Sequence, residues 1–298
     1  MDLRRLRFFT AVAETENFTR AAERLHIAQP ALSVAIRQLE EEIGLSLFSR
    51  EGKKTLLTAE GKVFLEHARR ILAAVRTAET QMGELRGLDQ GEVRIGVPAQ
   101  LGSYFFPALF VAFKRRHPRL RCSVFEYGTR RIGEMLCEGL LELGVVALDN
   151  PPAELEIHPF LEEEMVACLP AGHPLAAKAA VSYGDFAAEP LVLFEKSYFH
   201  REVIGQISAH AGAAPNVVFE TNLIPLLKAM VRSGFGITTL LRMVVERDED
   251  LVAIPFDPPI RFGLGIAWKR DSHLSLANRA FVDFLLEQKA FFKRSGRI

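Results

Sequence analysis

The sequence predicts an N-terminal helical domain with a winged helix-turn-helix, then a long linker helix, and finally a C-terminal α/β domain of two lobes. Three observations predict this fold. Apolar residues between positions 18 and 43 recur at helical spacing in two segments; residues 59–88 contain no proline and carry an apolar stripe; and strand-like and helix-like segments alternate after Glu92. We therefore expect domain boundaries at residues 1–58, 59–88 and 91–298.

The first two elements are a pair of helices joined by a tight turn. Asn17 is a suitable N-cap, and the apolar spacing of Ala21, Ala22 and Leu25 predicts a short helix that ends near His26. The small side chain of Ala22 lets a second helix cross closely. A second helix is predicted from Pro30, whose missing N–H costs nothing in a first turn. Its buried stripe consists of Leu32, Ile36, Leu39 and Ile43.

The opposite face of this second helix carries side chains that suit the edges of DNA bases. Gln29, Ser33 and Arg37 follow one another at intervals of four residues, with Pro30 and Val34 beside them. Glutamine pairs bidentately with adenine, arginine pairs with guanine, and valine packs on a thymine methyl group in the major groove. The spacing alone favours the alternative, an amphipathic helical pair whose polar face is simply solvated.

The next segment favours the DNA-binding interpretation. Residues 47–50 and 55–58 alternate as strands do, and they flank a basic turn at Gly52, Lys53 and Lys54. This pattern is typical of a β-wing beside a helix-turn-helix. The chain as a whole has no net charge, and residues 1–90 hold fourteen basic and thirteen acidic residues, so any DNA-binding face is local.

The first quarter of the chain resembles the winged helix-turn-helix and linker helix of the LysR-type transcriptional regulators. The resemblance rests on AA at 21–22, QPALS at 29–33, LE at 39–40, LF at 47–48 and LTAEG at 57–61. Ala28 departs from the pattern, since the family usually has a serine there that caps the recognition helix or touches phosphate. The resemblance implies that the chain regulates transcription at double-stranded promoter DNA. The implied DNA-binding residues are Thr19, Arg20, Gln29, Pro30, Ser33, Val34, Arg37, Arg50, Lys53 and Lys54.

The linker helix is expected to pair with a copy of itself. Thirty residues exceed what a small winged domain covers, although packing on its own domain is the alternative. In the family this helix forms an antiparallel dimer contact, so the resemblance implies a homodimer and, as a dimer of dimers, a homotetramer. The segment from Gly87 to Gly91 should end the helix and act as a hinge. The apolar stripe consists of Val63, Ile71, Leu72, Val75, Ala78, Met82 and Leu85.

Beyond Glu92, alternating elements predict two α/β lobes. The final helix returns to the first lobe with Phe281, Phe284 and Leu285, so the chain crosses between lobes twice. We expect lobe I at about 91–162 and 268–298, and lobe II at about 163–267. The predicted strands are 93–97, 120–126, 143–148, 165–169, 191–194, 217–219, 237–240 and 264–268, and the predicted helices are 103–116, 130–139, 201–211, 223–233 and 275–292.

This region resembles the effector-binding domain of the same family, whose fold is similar to type 2 periplasmic solute-binding proteins. The motifs are RIGV at 94–97, HP at 117–118, GHPLA at 172–176, VRSGFGI at 231–237 and AWKR at 267–270. Gly234-Phe235-Gly236 lacks the third glycine and preceding strand of a dinucleotide fingerprint, so we interpret it as a tight turn into a strand.

The resemblance implies a small-molecule effector between the lobes, where helix N-termini present free N–H groups; an anion is the expected ligand. Family members often hold serine or threonine in the first loop, whereas here Pro98, Ala99 and Gln100 occupy it. Thr129 either binds the effector or only caps its own helix, and Tyr198 and Phe199 form either an aromatic wall or part of the core. The candidate effector-binding residues are Gln100, Ser103, Thr129, Ser197, Tyr198, Phe199, His200, Thr221 and Asn222.

Other function classes fit the sequence less well. The eight histidines show no HExxH or Cys/His ligand spacing, and no GxSxG motif is present, so an enzyme on the two-lobed fold, or a cytoplasmic small-molecule binding protein, remains only the alternative. A transport component would need export, and the N-terminus lacks a signal peptide. Cys122, Cys137 and Cys168 are expected to be buried thiols, with a redox switch as the alternative. We expect a cytoplasmic protein without cofactor, metal or membrane contact, with RNA polymerase as a further implied partner.

Overall fold

The structure is a computed structural model that describes residues 1–51, 54–85, 91–195 and 199–294. The chain forms two compact units, one built from residues 1–87 together with 138–140 and the other from residues 88–137 and 141–298. Within the described residues, no helix combines the length and the apolarity that crossing a bilayer requires.

The N-terminal unit is a winged helix-turn-helix. Its elements are α1 (Leu3–Thr15), α2 (Phe18–Leu25), α3 (Gln29–Ile43), β1 (Phe48–Glu51), β2 (Lys54–Leu57) and α4 (Ala59–Leu85). Asn17 caps α2 as predicted, since its side chain accepts hydrogen bonds from the backbone N–H groups of Thr19 and Arg20. His26 ends α2 in a left-handed conformation, with φ of 54°. The two strands pair antiparallel, and Lys54 belongs to β2, not to the predicted turn.

Helices α1 to α4 all contribute to the core of this unit. The predicted stripe of α3 is confirmed, because Leu32, Ile36 and Leu39 are buried. They pack with α1 and α4, and the ring of Phe9 lies 5.2 Å from that of Phe48 and 5.0 Å from that of Phe64. The aromatic contacts fasten the first strand of the wing to the helices.

The linker helix α4 buries only part of the stripe predicted for it. Leu72 is 7% exposed and packs in the core of its own unit. Val63, Ile71 and Met82 are 59%, 37% and 53% exposed. The prediction that all seven stripe residues share one partner-facing surface is therefore wrong for Leu72, because the first half of α4 is needed to close the winged core. The predicted end of the helix and the hinge at 87–91 lie mostly outside the described residues.

The C-terminal unit consists of two α/β lobes. The first lobe holds a parallel arrangement of β3 (Glu92–Val97) between β4 (Arg121–Glu126) and β5 (Leu143–Ala147). Its helices are α5 (Ala99–Tyr104), α6 (Phe106–Arg116), α7 (Thr129–Cys137) and α12 (Leu276–Arg294). The predicted helix over 103–116 is instead two helices, since Pro107 removes the N–H that would continue α5 into α6.

The second lobe lies between two long strands. Its elements are a 3₁₀ helix (Pro174–Ala177), β7 (Val181–Ser182), α8 (Tyr183–Ala187), β8 (Pro190–Leu193), α9 (Phe199–Ala211), β9 (Asn216–Glu220), α10 (Ile224–Arg232), β10 (Thr238–Leu241) and α11 (Arg242–Val245). The 3₁₀ helix, β7, α8 and α11 were not predicted, because they are too short to show periodicity. The predicted turn is confirmed: Gly234 has φ of 72°, and a Cβ on Gly236 would lie 2.6 Å from the Pro190 carbonyl oxygen.

Two strands run through both lobes. β6 (Leu155–Pro170) and β11 (Leu251–Lys269) pair antiparallel along almost their whole length. The predicted strands 165–169 and 264–268 are only parts of them. Polar residues such as Glu162 and Asp257 interrupt the apolar pattern in the middle, while the pairing of the two strands continues past register shifts at Pro255/Ile260 and Leu264/Gly265. The predicted two crossings between lobes are these two strands.

Aromatic packing ties the last helix to the first lobe, as predicted. Phe281 of α12 is fully buried, and its ring lies 5.2 Å from Phe110 and 5.1 Å from Phe113 of α6. The chain therefore completes lobe I only with its final helix, after lobe II has been built.

Candidate functional site

The outer face of α3 gathers five of the predicted DNA-binding residues. Gln29, Pro30, Val34 and Arg37 are exposed, and Ser33 is half-buried between them. The Gln29 Nε2 donates a hydrogen bond to the Ser33 hydroxyl over 2.8 Å, which orients the glutamine amide along the helix. Val34 is 50% exposed although it is apolar. An exposed valine between polar side chains suits a surface that meets thymine methyl groups.

The first turns of α2 and α3 present backbone N–H groups and polar side chains beside this face. Thr19 and Arg20 lie in the first turn of α2 with exposed side chains. Ala28, at the N-cap of α3, makes no side-chain cap, in agreement with its departure from the family pattern. The first-turn N–H groups of α3, which no side chain caps, can meet a phosphate directly, whereas those of Thr19 and Arg20 are bonded to Asn17.

Glu40 joins the outer helix to the wing. Its carboxylate accepts hydrogen bonds from the backbone N–H groups of Leu47 and Phe48, over 2.7 and 3.1 Å. Arg50 lies in β1 opposite Thr55, and Lys54 lies opposite Glu51. Lys53 and the side chains of Arg50 and Lys54 lie outside the described residues, so their predicted phosphate contacts stay predictions.

A small cavity lies between the two lobes of the C-terminal unit. Its volume is about 40 Å³, which is room for two or three water-sized groups. Three predicted effector residues line it: Gln100 and Thr129 from lobe I and His200 from lobe II. The other lining residues are Pro98, Ala99, Leu101, Gly128, Phe194, Leu241, Phe262 and Leu264.

Gln100 connects the two lobes. It is 2% exposed, and its Oε1 accepts a hydrogen bond from the backbone N–H of Leu241 over 2.8 Å. Its Nε2 contacts the Nε2 of His200. The His200 ring is enclosed and packs on Phe194, with ring centroids 4.6 Å apart. Burial lowers the pKa of His200 to about 4, so the imidazole is neutral near pH 7.

Two polar atoms on the cavity residues are buried without a hydrogen-bond partner among the described residues. They are Thr129 Oγ1 and His200 Nδ1. Thr129 is 7% exposed and begins α7, as predicted. It also lines a second cavity of about 160 Å³ within lobe I, between α7 and residues 149–152. Buried polar atoms of this kind are the usual mark of a site that meets a ligand or water.

Charged side chains also join the two lobes. Arg130, beside Thr129, pairs with Glu202 in the first turn of α9, with Nη2 and Oε2 2.5 Å apart. Lys228 of lobe II lies with its Nζ 3.4 Å from the hydroxyl of Tyr104 in lobe I and 3.0 Å from Asp248. Sequence reasoning missed these contacts, because each joins residues far apart in the chain.

Three further candidate residues, Ser103, Thr221 and Asn222, do not line this cavity. Ser103 is exposed, because α5 starts immediately after β3 and its second turn points to solvent. The hydroxyl of Thr221 accepts from the N–H of Leu223 and holds a local turn. The side-chain oxygen of Asn222 accepts from the N–H of Glu195 and joins the segments that follow β8 and β9. Phe199 begins α9, and its side chain lies outside the described residues, as do Ser197 and Tyr198.

The cysteines are free thiols. Cys168 is buried in β6, and burial raises the pKa of its thiol to about 12, which disfavours the reactive thiolate. The prediction of buried thiols is only partly right, since Cys122 and Cys137 are half-buried. Among the residues that the structure describes, no group of histidine, cysteine, aspartate or glutamate is arranged to hold a metal ion.

Comparison with known proteins assigns both units to domain families. Residues 3–62 match the bacterial regulatory helix-turn-helix protein model of the lysR family, and residues 86–290 match the LysR substrate binding domain. The chain belongs to the LysR family. A RuBisCO operon transcriptional regulator of Allochromatium vinosum is 32% identical over 294 residues, which cover 97% of each chain. A hydrogen peroxide-inducible genes activator of Pectobacterium carotovorum is 30% identical, over 87% of this chain and 85% of that protein.

Solved LysR regulators have the same architecture. CbnR is 25% identical, with a TM-score of 0.70 over 97% of this chain and 99% of that one. A full-length OxyR variant of Pseudomonas aeruginosa is 25% identical, with a TM-score of 0.64 over 96% of this chain and 98% of that one. CbnR has also been solved with its target DNA. This protein is a LysR-type DNA-binding transcriptional regulator with an effector-binding domain, and it is not an enzyme.

Proposed function

We propose that a small anionic effector, bound in the interlobe cavity, controls how this regulator acts at its promoter. One observation carries the proposal: two buried polar atoms, Thr129 Oγ1 from lobe I and His200 Nδ1 from lobe II, lie on residues of one cavity without a partner among the described residues. A ligand that bonds both atoms joins the lobes, so its binding free energy depends on the lobe angle.

The chemistry of the wall favours an anion. Thr129 begins α7, and the first N–H groups of a helix have no intrahelical acceptor. No acidic side chain occurs among the described residues that line the cavity. Oriented N–H and O–H donors stabilise a carboxylate without a neighbouring cation, as they do at other helix N-termini.

The proposal includes the assembly that acts on DNA. Val63, Ile71 and Met82 expose apolar surface on α4, which supports a dimer through this helix and a tetramer built from two dimers. Exposed apolar surface on a long helix favours burial against a second copy. Contact of the promoter-bound assembly with RNA polymerase, and action in the cytoplasm, complete the proposed function.

A thermal-shift screen tests the effector site. Wild type, Thr129→Val and Ser103→Ala are heated with formate, acetate, pyruvate and other small carboxylates. We expect at least one carboxylate to raise the midpoint of thermal unfolding of wild type and of Ser103→Ala, but not of Thr129→Val. Ser103→Ala is the control because it changes an exposed residue outside the cavity. The same carboxylate should alter the affinity for DNA sites selected from a random pool.

Two results bear against the effector site. If Thr129→Val responds to the carboxylate as wild type does, the Thr129 hydroxyl does not bind the ligand. If the carboxylate stabilises the protein without any change at DNA, the cavity binds the anion but does not regulate.

A further inference from the structure

A relay of hydrogen bonds runs from the backbone of lobe II, through Gln100 of lobe I, to the ring of His200. It begins at the N–H of Leu241, which can only donate. The Gln100 atom 2.8 Å from that nitrogen must therefore be its carbonyl oxygen, Oε1. This contact is buried, so the backbone fixes the orientation of the Gln100 amide.

The amide in turn fixes the proton on His200. With Oε1 bound to Leu241, the Gln100 NH₂ group faces Nε2 of His200. An NH₂ group only donates, so Nε2 must present its lone pair. In a neutral imidazole the proton then resides on Nδ1.

The Nδ1–H group is the open end of the relay. Nδ1 is buried and has no acceptor among the described residues, and His200 is part of the cavity wall. A buried donor without an acceptor is costly, which makes this group a strong point of attraction for any acceptor that enters.

The ring cannot readily take a second proton. Burial lowers the pKa of His200 to about 4, and a proton on Nε2 would face the Gln100 NH₂ group. Around the ring, Gln100 and Phe194 are uncharged, and Arg130 and Glu202 neutralise each other at the starts of α7 and α9. The described side chains thus present the ligand with a neutral donor.

We propose that His200 is the specificity-determining residue of the interlobe cavity, and that Gln100 positions it as an Nδ1–H donor so that the site selects compact carboxylates over amides and amines. The inference rests on the proposed effector site and specifies its ligand class. A carboxylate oxygen offers only lone pairs to Nδ1–H and to the α7 N-terminus. An amide or ammonium of the same size brings N–H donors against donors, and such mismatches discriminate strongly in a buried site.

Nuclear magnetic resonance tests the positioning role directly. Full-length protein with ¹⁵N-labelled histidine is recorded from pH 5.5 to 8, and His200→Asn identifies the His200 signals. We expect the neutral tautomer with the proton on Nδ1 across this range, and mixed tautomers in Gln100→Met, where the amide is gone. A proton on Nε2 in wild type, or a ring that charges above pH 5.5, overturns the relay. Because this measurement needs no effector, it separates failure of the relay from failure of the proposed function.

Calorimetric titration tests the selectivity, with acetate, acetamide and methylammonium as probes. We expect acetate alone to bind wild type. His200→Phe should weaken the binding of acetate by about 10- to 100-fold, which is the range for a lost hydrogen bond to a charged group. His200→Asn keeps an N–H near the position of Nδ1 and should stay within about threefold of wild type. Equal binding of acetate and acetamide, or equal loss in both variants, contradicts the selectivity. Failure of acetate to bind wild type overturns the ligand class.

Discussion

Glu40 holds the backbone N–H of Leu47 at 2.7 Å, so one carboxylate fastens the end of α3 to the start of the wing. A second bond from the Phe48 N–H strengthens the link. The helix predicted to meet base edges and the strands predicted to meet phosphate therefore keep a fixed relative position.

Glu40→Ala should lower the stability of the N-terminal unit by about 1–3 kcal/mol, because two partly buried N–H groups lose a charged acceptor. It should also weaken DNA binding, since the wing is no longer held. Urea unfolding and fluorescence anisotropy with selected DNA sites measure the two effects. Glu41→Ala, at an exposed position next to it, is the matched control. Wild-type stability in Glu40→Ala would show that the link carries no free energy.

Arg37→Ala should reduce affinity for the cognate site by about 1–3 kcal/mol while changing affinity for random DNA much less, because Arg37 is exposed on the face of α3 that is predicted to read bases. Lys53→Ala, in the predicted wing turn, should instead weaken binding to all DNA sequences. It should also reduce the slope of log affinity against log salt concentration by about one unit. Arg115→Ala removes the same charge from an exposed position on α6 and should change neither. Equal losses on cognate and random DNA for Arg37→Ala would refute base reading by this residue.

Val75→Glu should break the dimer, because a carboxylate in the contact of two α4 helices would be buried without a partner. Light scattering gives the mass directly. Thr77→Glu introduces the same charge two residues further along, on roughly the opposite side of the helix, and should leave the mass unchanged. If Val75→Glu keeps the wild-type mass, the dimer does not form through this face of α4.

Glu163 should make the C-terminal unit less stable as the pH rises. Burial raises the pKa of its carboxyl from an ordinary 4.5 to about 7, and Oε2 has no hydrogen-bond partner among the described residues. The folded state therefore holds the proton more tightly than the unfolded state. The stabilisation is complete below pH 4.5 and is lost as the pH passes 7.

Glu163→Gln removes this dependence. The free energy of unfolding of the variant, relative to that of wild type, should rise by about 1–2 kcal/mol from pH 5 to pH 8. This figure is reduced for the partial exposure of the Glu163 side chain. Urea midpoints of both proteins at each pH give the difference, which cancels contributions from His200 and other groups. Glu162→Gln, at an exposed position, is the control. A constant difference between the two proteins at all pH values would contradict the raised pKa.

Local features were predictable from the sequence. The Asn17 cap, the buried stripe of α3 and the turn at Gly234 depend on residues within four positions of each other, so neighbouring side chains determine them. The start of α7 at Thr129 follows in the same way from the strand before it.

Features that depend on distant residues were not predictable. The contacts of Gln100 with His200 and Leu241 span 100 and 141 residues, and the Arg130–Glu202 pair spans 72. The cavity residues could be proposed from the family resemblance, but the proton on His200 follows only from the three-dimensional order of donors and acceptors. The long strands were missed because backbone pairing continues where the apolar pattern stops.

The paired strands β6 and β11 restrict how the lobes can move. A flexible loop would let two bodies rotate and slide in any direction, but an antiparallel ribbon resists sliding, since a slip by one residue turns every side chain to the other face. Bending and twisting of the ribbon remain soft, especially where its ladder is interrupted between Pro255 and Ile260. Relative motion of the lobes is thus limited mainly to bending and twisting of this ribbon, and the backbone supplies the restoring force.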